Sequence, residues 1–251
     1  MLDMTTVNKL NDMRRTAMAR AFSDQLSSSE YNGLSFEERF GLIVDTEWSR
    51  RKSNQLGRLI KKAGLMESSA CIENIRYDED RKLDRATVLK LATCNYIADK
   101  RNIIILGATG AGKSYIGSAF AVAACRNYYS ARYIRLPDLL DELAIARGEG
   151  TFRKAMKAYK SVAVLVLDEW LLTSLKESQA QDLLEIIESR HQTCSTIFCS
   201  QLSPAGWREM IGAGAIAEAV LDRIVHNAYT IFIDGKIYMR ERLSTERENN
   251  C

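Results

Sequence analysis

An α/β fold, with a parallel sheet covered by helices on both faces, is predicted by three observations. Beyond residue 100, short apolar runs alternate with helical stretches, the order that parallel strands and crossover helices require. The run Val162-Ala163-Val164-Leu165-Val166-Leu167 has no polar position, so its strand is expected to be buried on both faces. The first run, Ile103-Ile104-Ile105-Leu106, leads into a glycine-rich loop that opens a helix.

Taken in order, residues 1–65 read as a small all-helical domain. Val7, Leu10, Ala17, Ala21 and Phe22 mark one amphipathic face, and Phe36, Phe40, Val44 and Trp48 recur every four residues on another. Ser35, with Glu38 three residues on, is a capping-box signature for the second of these helices. Residues 66–82 are polar and aperiodic and read as a linker, which leaves 83–251 for the α/β domain. A helix over 83–99 leads into the first strand. Strands are expected at 102–106, 131–136, 162–167, 195–200 and 228–233, and helical stretches at 139–147, 177–191 and 215–226 among others. A hairpin-like segment spans 230–242, after which too few residues are expected to remain for a C-terminal lid domain.

Composition narrows the class. With 251 residues, 27% charged and 46% hydrophobic, the chain has the make-up of an ordinary soluble protein. No run approaches the roughly 18 apolar residues of a membrane span, and the start Met1-Leu2-Asp3-Met4-Thr5 has neither the basic nor the apolar region of a signal peptide. The cysteines (Cys71, Cys94, Cys125, Cys194, Cys199, Cys251) form no C-x-x-C pair and have no histidine at zinc spacing. Free buried thiols and a cytoplasmic location are therefore expected. A net charge of +3 is too small to identify a polyanionic partner by itself.

The chemistry is carried by Gly107-Ala108-Thr109-Gly110-Ala111-Gly112-Lys113-Ser114, a complete G-x-x-x-x-G-K-[ST] phosphate loop. Its glycines let successive N–H groups curl around a triphosphate, and the helix that follows from Tyr115 adds positive potential at its N-terminus. Residues Gly107 to Tyr115 are the candidate ATP contacts; Lys113 reaches the β and γ phosphates, and Ser114 is a candidate Mg²⁺ ligand. The second motif, Leu165-Val166-Leu167-Asp168-Glu169, ends an apolar strand in two carboxylates. Asp168 is placed to bind Mg²⁺, directly or through water, and Glu169 to polarise an attacking water, which favours hydrolysis over phosphoryl transfer to a metabolite. A strand lying between these two and ending in Ser200-Gln201 would face Gln201, or failing that Ser200, toward the γ phosphate. Arg223, in Leu221-Asp222-Arg223-Ile224, is either a surface ion-pair residue or an arginine finger supplied to the ATP of a neighbouring subunit. His191 and His226 have no ligand-spaced partner and read as structural.

In order and approximate spacing, these motifs resemble the AAA+ ATPases of the IstB/DnaC group. The closer similarity is to IstB-like proteins, helper ATPases of insertion sequences that also encode an integrase-type transposase. It is carried by Glu47-Trp48-Ser49-Arg50-Arg51, Arg147-Gly148-Glu149-Gly150-Thr151-Phe152, Asp168-Glu169-Trp170 and Leu221-Asp222-Arg223-Ile224-Val225-His226-Asn227-Ala228, and it covers almost the whole chain. The chain departs from the family's usual Gly-x-Ser-x-Arg ending: Gly235-Lys236-Ile237-Tyr238-Met239-Arg240 lacks the serine and displaces the arginine. Gln201 stands where DnaC-like loaders usually carry asparagine. The resemblance implies a P-loop AAA+ core and a homo-oligomer with ATP at subunit interfaces. It further implies ATP-dependent assembly on double-stranded DNA, recruitment or activation of a transposase, and disassembly on hydrolysis. A DnaC-type replicative helicase loader is the alternative. A nucleotide-gated scaffold that rarely turns ATP over is a third class, against which Glu169 argues.

Basic residues gather in two places, Arg50, Arg51, Lys52, Arg58, Lys61 and Lys62, and Arg147, Arg153, Lys154, Lys157 and Lys160. Such clusters neutralise phosphates without reading bases, or simply face solvent. The resemblance to IstB-like proteins implies sequence-tolerant duplex binding, and no zinc finger, RNA-recognition motif or recognition helix is legible.

Overall fold

The computed structural model describes residues 2–212, 214–234 and 239. The chain forms two compact units, Met1–Arg58 and Leu59–Cys251. In the first, helices α1 (Leu2–Asp12) and α2 (Thr16–Ser27) pack on each other, and the long α3 (Phe36–Ala63) follows. The capping box forms as expected: the Ser35 N–H donates to Glu38 Oε2 (2.7 Å), and the Glu38 N–H to Ser35 Oγ (3.2 Å). The apolar stripe on α3 lies on an exposed side of that helix. Ala19 and Ile43 are buried, whereas Phe36 is 80% and Trp48 59% exposed, with Phe40 and Val44 exposed between them. Periodicity identifies a stripe; it does not say whether the stripe turns inward.

The second unit holds a five-stranded sheet of β1 (Asn102–Gly107), β2 (Ala131–Arg135), β3 (Val164–Asp168), β4 (Ser195–Ser200) and β5 (Ala228–Ile233). All pairs are parallel, in the order β2-β3-β4-β1-β5. Leu106 is in register with Ser200, and Leu167 with Phe198, so Gly107, Asp168 and Gln201 emerge at one edge of three adjacent strands. Helix α6 (Lys113–Arg126) covers one face, where Gly117 lies against Cys199 and Val166. The other face, through Ile104, Leu106, Leu165, Leu167 and Phe198, packs under α7 (Leu136–Gly148), α8 (Phe152–Ser161), α9 (Glu177–Arg190), α10 (Pro204–Ile211) and α11 (Ala215–Val225). Burial on both faces is why the central strands carry uninterrupted apolar runs.

Three stretches differ from the sequence reading. The helix expected over 83–99 is two, α4 (Arg85–Ala92) and α5 (Asn95–Ala98), because Cys94 takes a left-handed conformation (φ 64) and breaks the ladder. Residues 152–161, read for their basic side chains, form α8: Phe152, Met156 and Tyr159 point into the core and leave Arg153, Lys154 and Lys157 outside. Residues 66–82 are no loose linker but a packed strap with two 3₁₀ turns, in which Ala70, Ile72, Ile75 and Arg81 are buried. The strap holds the phosphate-loop helix at several points. The Cys71 N–H donates to the Tyr115 hydroxyl (3.4 Å), Arg126 pairs with Glu73 (2.8 Å), and Arg81 Nη2 donates to the Ala111 carbonyl (2.8 Å). β5 runs parallel to β1, and most of the hairpin expected over 230–242, with Arg240, lies outside the described residues. No helix among the described residues is long and apolar enough to cross a membrane. Cys71, Cys94, Cys125, Cys194 and Cys199 carry free thiols; Cys251 lies outside the described residues.

Candidate nucleotide site

The phosphate loop runs from the end of β1 into α6. A side chain at Gly107 would put its Cβ 2.6 Å from the Ile233 carbonyl oxygen, so the loop leaves the sheet where only glycine fits. Gly112, at φ 93, caps α6 in the left-handed region and directs the first-turn N–H groups into the loop. Lys113 follows and is buried; its ammonium donates to the carbonyls of Gly107 (2.9 Å) and Ala108 (2.8 Å). Burial pushes the Lys113 pKa down, and nearby Cys199 and Asp168 oppose that shift.

Asp168 is the last residue of β3 and is 3% exposed. Its Oδ1 accepts the Glu169 N–H (2.9 Å), and its Oδ2 accepts the hydroxyl proton of Tyr133 on β2. Glu169 sits in a left-handed conformation (φ 52), a strain on the order of 1 kcal/mol for a residue with a side chain. The following residue anchors it: the Trp170 N–H donates to the Cys199 carbonyl (2.9 Å), and its ring lies 4.6 Å from Phe198 and 5.8 Å from Trp207 between centroids. The Glu169 carboxylate is 3.7 Å from Arg135 Nη1, while the same guanidinium forks onto Asp138 at 2.7 Å.

The two candidates at the end of β4 separate cleanly. Ser200 is buried and engaged on all sides: it donates to the Trp170 carbonyl (2.9 Å) and accepts from Trp207 Nε1 (2.9 Å) and the Leu202 N–H (3.1 Å). Gln201 is exposed, and its Oε1 accepts from the Thr109 hydroxyl (2.8 Å). Thr109, Lys113, Ser114, Asp168, Glu169 and Gln201 thus line one cleft of about 270 Å³ at the carboxyl edge of the sheet. The Tyr115 hydroxyl faces the strap, which leaves its first-turn N–H, not its side chain, on the loop side.

Arg223 does not join this cleft. On α11 its guanidinium pairs with Glu188 (2.9 Å) and donates to the Ala219 carbonyl (2.9 Å). The basic clusters divide by partner. Arg50 (3.2 Å) and Arg51 (2.7 Å) are held by Glu47, and Lys52 lies 5.7 Å from the Trp48 ring. Arg147 is bidentate to Asp182 (2.6 Å) and stacked on Phe152, and Lys160 pairs with Glu185. Arg58, Lys61, Lys62, Arg153, Lys154 and Lys157 are exposed and make no ion pair among the described residues. Sequence reasoning missed Tyr133, Arg135 and Arg81. A lone phenol at the middle of the second strand was the available signal for the first; the other two resemble any surface arginine until the fold is known.

A parallel sheet of order β2-β3-β4-β1-β5, with a phosphate loop after β1, an Asp-Glu pair after β3 and a polar residue after β4, defines a P-loop protein of the AAA+ class. Comparison with known proteins agrees. The chain belongs to the family of IstB-like ATP binding proteins, whose profile it matches over residues 8–247. It is 40% identical over 242 residues to the putative insertion sequence ATP-binding protein y4pL of Sinorhizobium fredii, covering 96% of this chain and 98% of that one. It is also 40% identical over 202 residues to the IS1162 putative ATP-binding protein of Pseudomonas fluorescens, covering 80% and 87%. The crystal structure of DnaI is similar in fold, with a TM-score of 0.58 at 21% identity, covering 71% of this chain and 97% of that one.

Proposed function

We propose that this ATP-binding protein is a Mg²⁺-dependent ATPase that regulates transposition. In this reading it assembles with ATP on duplex DNA, recruits or activates an integrase-type transposase, and comes apart on hydrolysis. The observation that carries the ATPase reading is the convergence of Lys113, Asp168, Glu169 and Gln201 on one cleft beside the phosphate loop. Family membership, with relatives named for insertion sequences, supports the biological setting.

The donor set suits Mg²⁺. Ser114 and Asp168 offer hard oxygens, and no cluster of three or more His, Cys, Asp or Glu among the described residues forms a cage for a softer or fully protein-bound ion. When bound with ATP, the cation would neutralise charge on the phosphate oxygens. The chain's residues do the rest. The loop N–H groups and Lys113 bind the phosphates, the ammonium exchanging the Gly107 and Ala108 carbonyls for phosphate oxygens. Glu169 accepts hydrogen bonding from the attacking water, and Gln201 orients that water through its amide. Arg223 serves a neighbouring subunit's ATP, which makes hydrolysis depend on assembly. Exposed Arg58, Lys61 and Lys62, together with Arg153, Lys154 and Lys157, supply phosphate contacts indifferent to sequence. The experiment is ATP turnover with and without duplex DNA, measured together with DNA retention. Turnover stimulated by any duplex, and retention that needs ATP, support the reading; ATP-independent retention contradicts it.

A further inference from the structure

Tyr133 belongs to neither the phosphate loop nor the Asp-Glu pair, yet its hydroxyl is bonded to the aspartate of that pair. It is 7% exposed, on the strand that pairs with β3, with Val166 as its register partner. The hydroxyl donates to Asp168 Oδ2 and is 3.5 Å from Met66 Sδ. A phenol has one proton, and a carboxylate is a far stronger acceptor than a thioether, so the proton goes to Asp168. The other carboxylate oxygen, Oδ1, takes the Glu169 N–H. Asp168 is therefore held at both oxygens while a lone pair remains on each for a further partner.

We propose that Tyr133 is a positioning residue for the divalent cation: its hydroxyl holds Asp168 Oδ2 and so sets that carboxylate as the ion requires. This rests on reading Ser114 and Asp168 as the cation-holding pair. Partners that orient metal ligands change metal affinity by about 10–100-fold when removed. A tyrosine that merely fills the core has no such effect on the cation.

The test is Tyr133→Phe, which keeps the ring and deletes the hydrogen bond to Asp168. Binding of a fluorescent ATP analogue is measured first in EDTA and then along a Mg²⁺ titration, with bound Mn²⁺ read independently by electron paramagnetic resonance. The expected result is EDTA affinity within about twofold of wild type and a cation midpoint raised about tenfold or more. Tyr133→Met, a flexible filler without the hydroxyl, must move the midpoint the same way and covers the case in which the phenylalanine variant fails to fold. An unmoved midpoint overturns the proposal. So does an equal loss of affinity with and without cation, because Tyr133 would then be supporting the phosphate loop. Asp168→Asn run in parallel keeps the two claims apart: if its own midpoint is unmoved, the cation pair is wrong; if it shifts while Tyr133→Phe does not, only the role of Tyr133 falls.

Discussion

The Thr109 hydroxyl donates to Gln201 Oε1 at 2.8 Å, joining the phosphate loop to the residue that ends the neighbouring strand. The bond occupies the carbonyl end of the Gln201 amide and leaves its NH₂ group as a donor able to hold a water or a phosphate oxygen. Gln201→Ala should therefore lower ATP turnover by on the order of 10²-fold, the scale set by losing one oriented donor, while ATP affinity changes little. Thr109→Val should cost less, because the amide stays but loses its orientation. Single-turnover hydrolysis beside equilibrium ATP binding checks both. Equal losses of affinity in the two variants would place the pair in binding, not in chemistry.

Lys113 and Glu169 should separate binding from hydrolysis. Lys113→Ala removes the buried ammonium beside the Gly107 and Ala108 carbonyls and should abolish ATP binding. Glu169→Gln keeps side-chain size and leaves the Asp168 carboxylate in place, and should bind ATP normally while stalling turnover. Titration with a fluorescent nucleotide and a phosphate-release assay suffice. Wild-type turnover in Glu169→Gln removes that residue from the mechanism.

Arg223 is ion-paired to Glu188 within its own chain and absent from its own cleft, the arrangement a residue acting in trans would have. Arg223→Ala should lower hydrolysis by on the order of 10³-fold, as for other arginine fingers. Mixed with the inactive Lys113→Ala chain, it should recover activity at interfaces that pair a sound loop with a sound arginine. Co-assembly without recovery sinks the trans assignment.

The basic residues make opposite predictions according to their partners. Replacing Arg153, Lys154 and Lys157 by alanine should weaken binding to every duplex by a similar factor. It should also flatten the log–log salt dependence by about 0.9 for each phosphate that is no longer neutralised. Arg51→Ala should instead loosen the first unit, since Arg51 and Arg50 hold buried Glu47, whose Oε2 accepts the Ala17 N–H (3.0 Å) at the open start of α2. Burial alone would raise the Glu47 pKa, but hydrogen bonds from Arg51, Arg50 and Ala17 outweigh it and hold the carboxyl down to about 2. A depressed carboxylate stabilises the fold at pH above its ordinary value of 4.5, and this contribution is lost as pH falls toward about 2. Protection of the α2 amides from hydrogen exchange, corrected for intrinsic rates, should fall through that window in wild type. It should be low and nearly flat in Glu47→Gln.

What was legible in the sequence is what local chemistry fixes. The phosphate loop, the Asp168-Glu169 strand end and the β4 strand with Gln201 were readable because an apolar strand and its terminal polar residues are contiguous. The placement of β4 between β1 and β3, from which the reading of Gln201 follows, is borne out by the sheet order. Less was visible where partners come from afar. Ser200 reads like Gln201 in sequence, yet Trp170 and Trp207 consume its hydrogen bonds. Arg50 and Arg51 look like a nucleic-acid patch until Glu47 is seen between them. The strap over 66–82 has too few apolar residues for a periodic signal, and its order comes from Arg81 and from hydrogen bonds to α6.

If ATP turnover controls residence on duplex DNA, the lifetime of the complex reports it. Wild type and Glu169→Gln are loaded on an arbitrary duplex with ATP and Mg²⁺, free protein is removed, and dissociation is followed. Glu169→Gln should stay bound long after wild type has left, and Lys113→Ala should never load. Equal lifetimes for wild type and Glu169→Gln, or loading by Lys113→Ala, would contradict it.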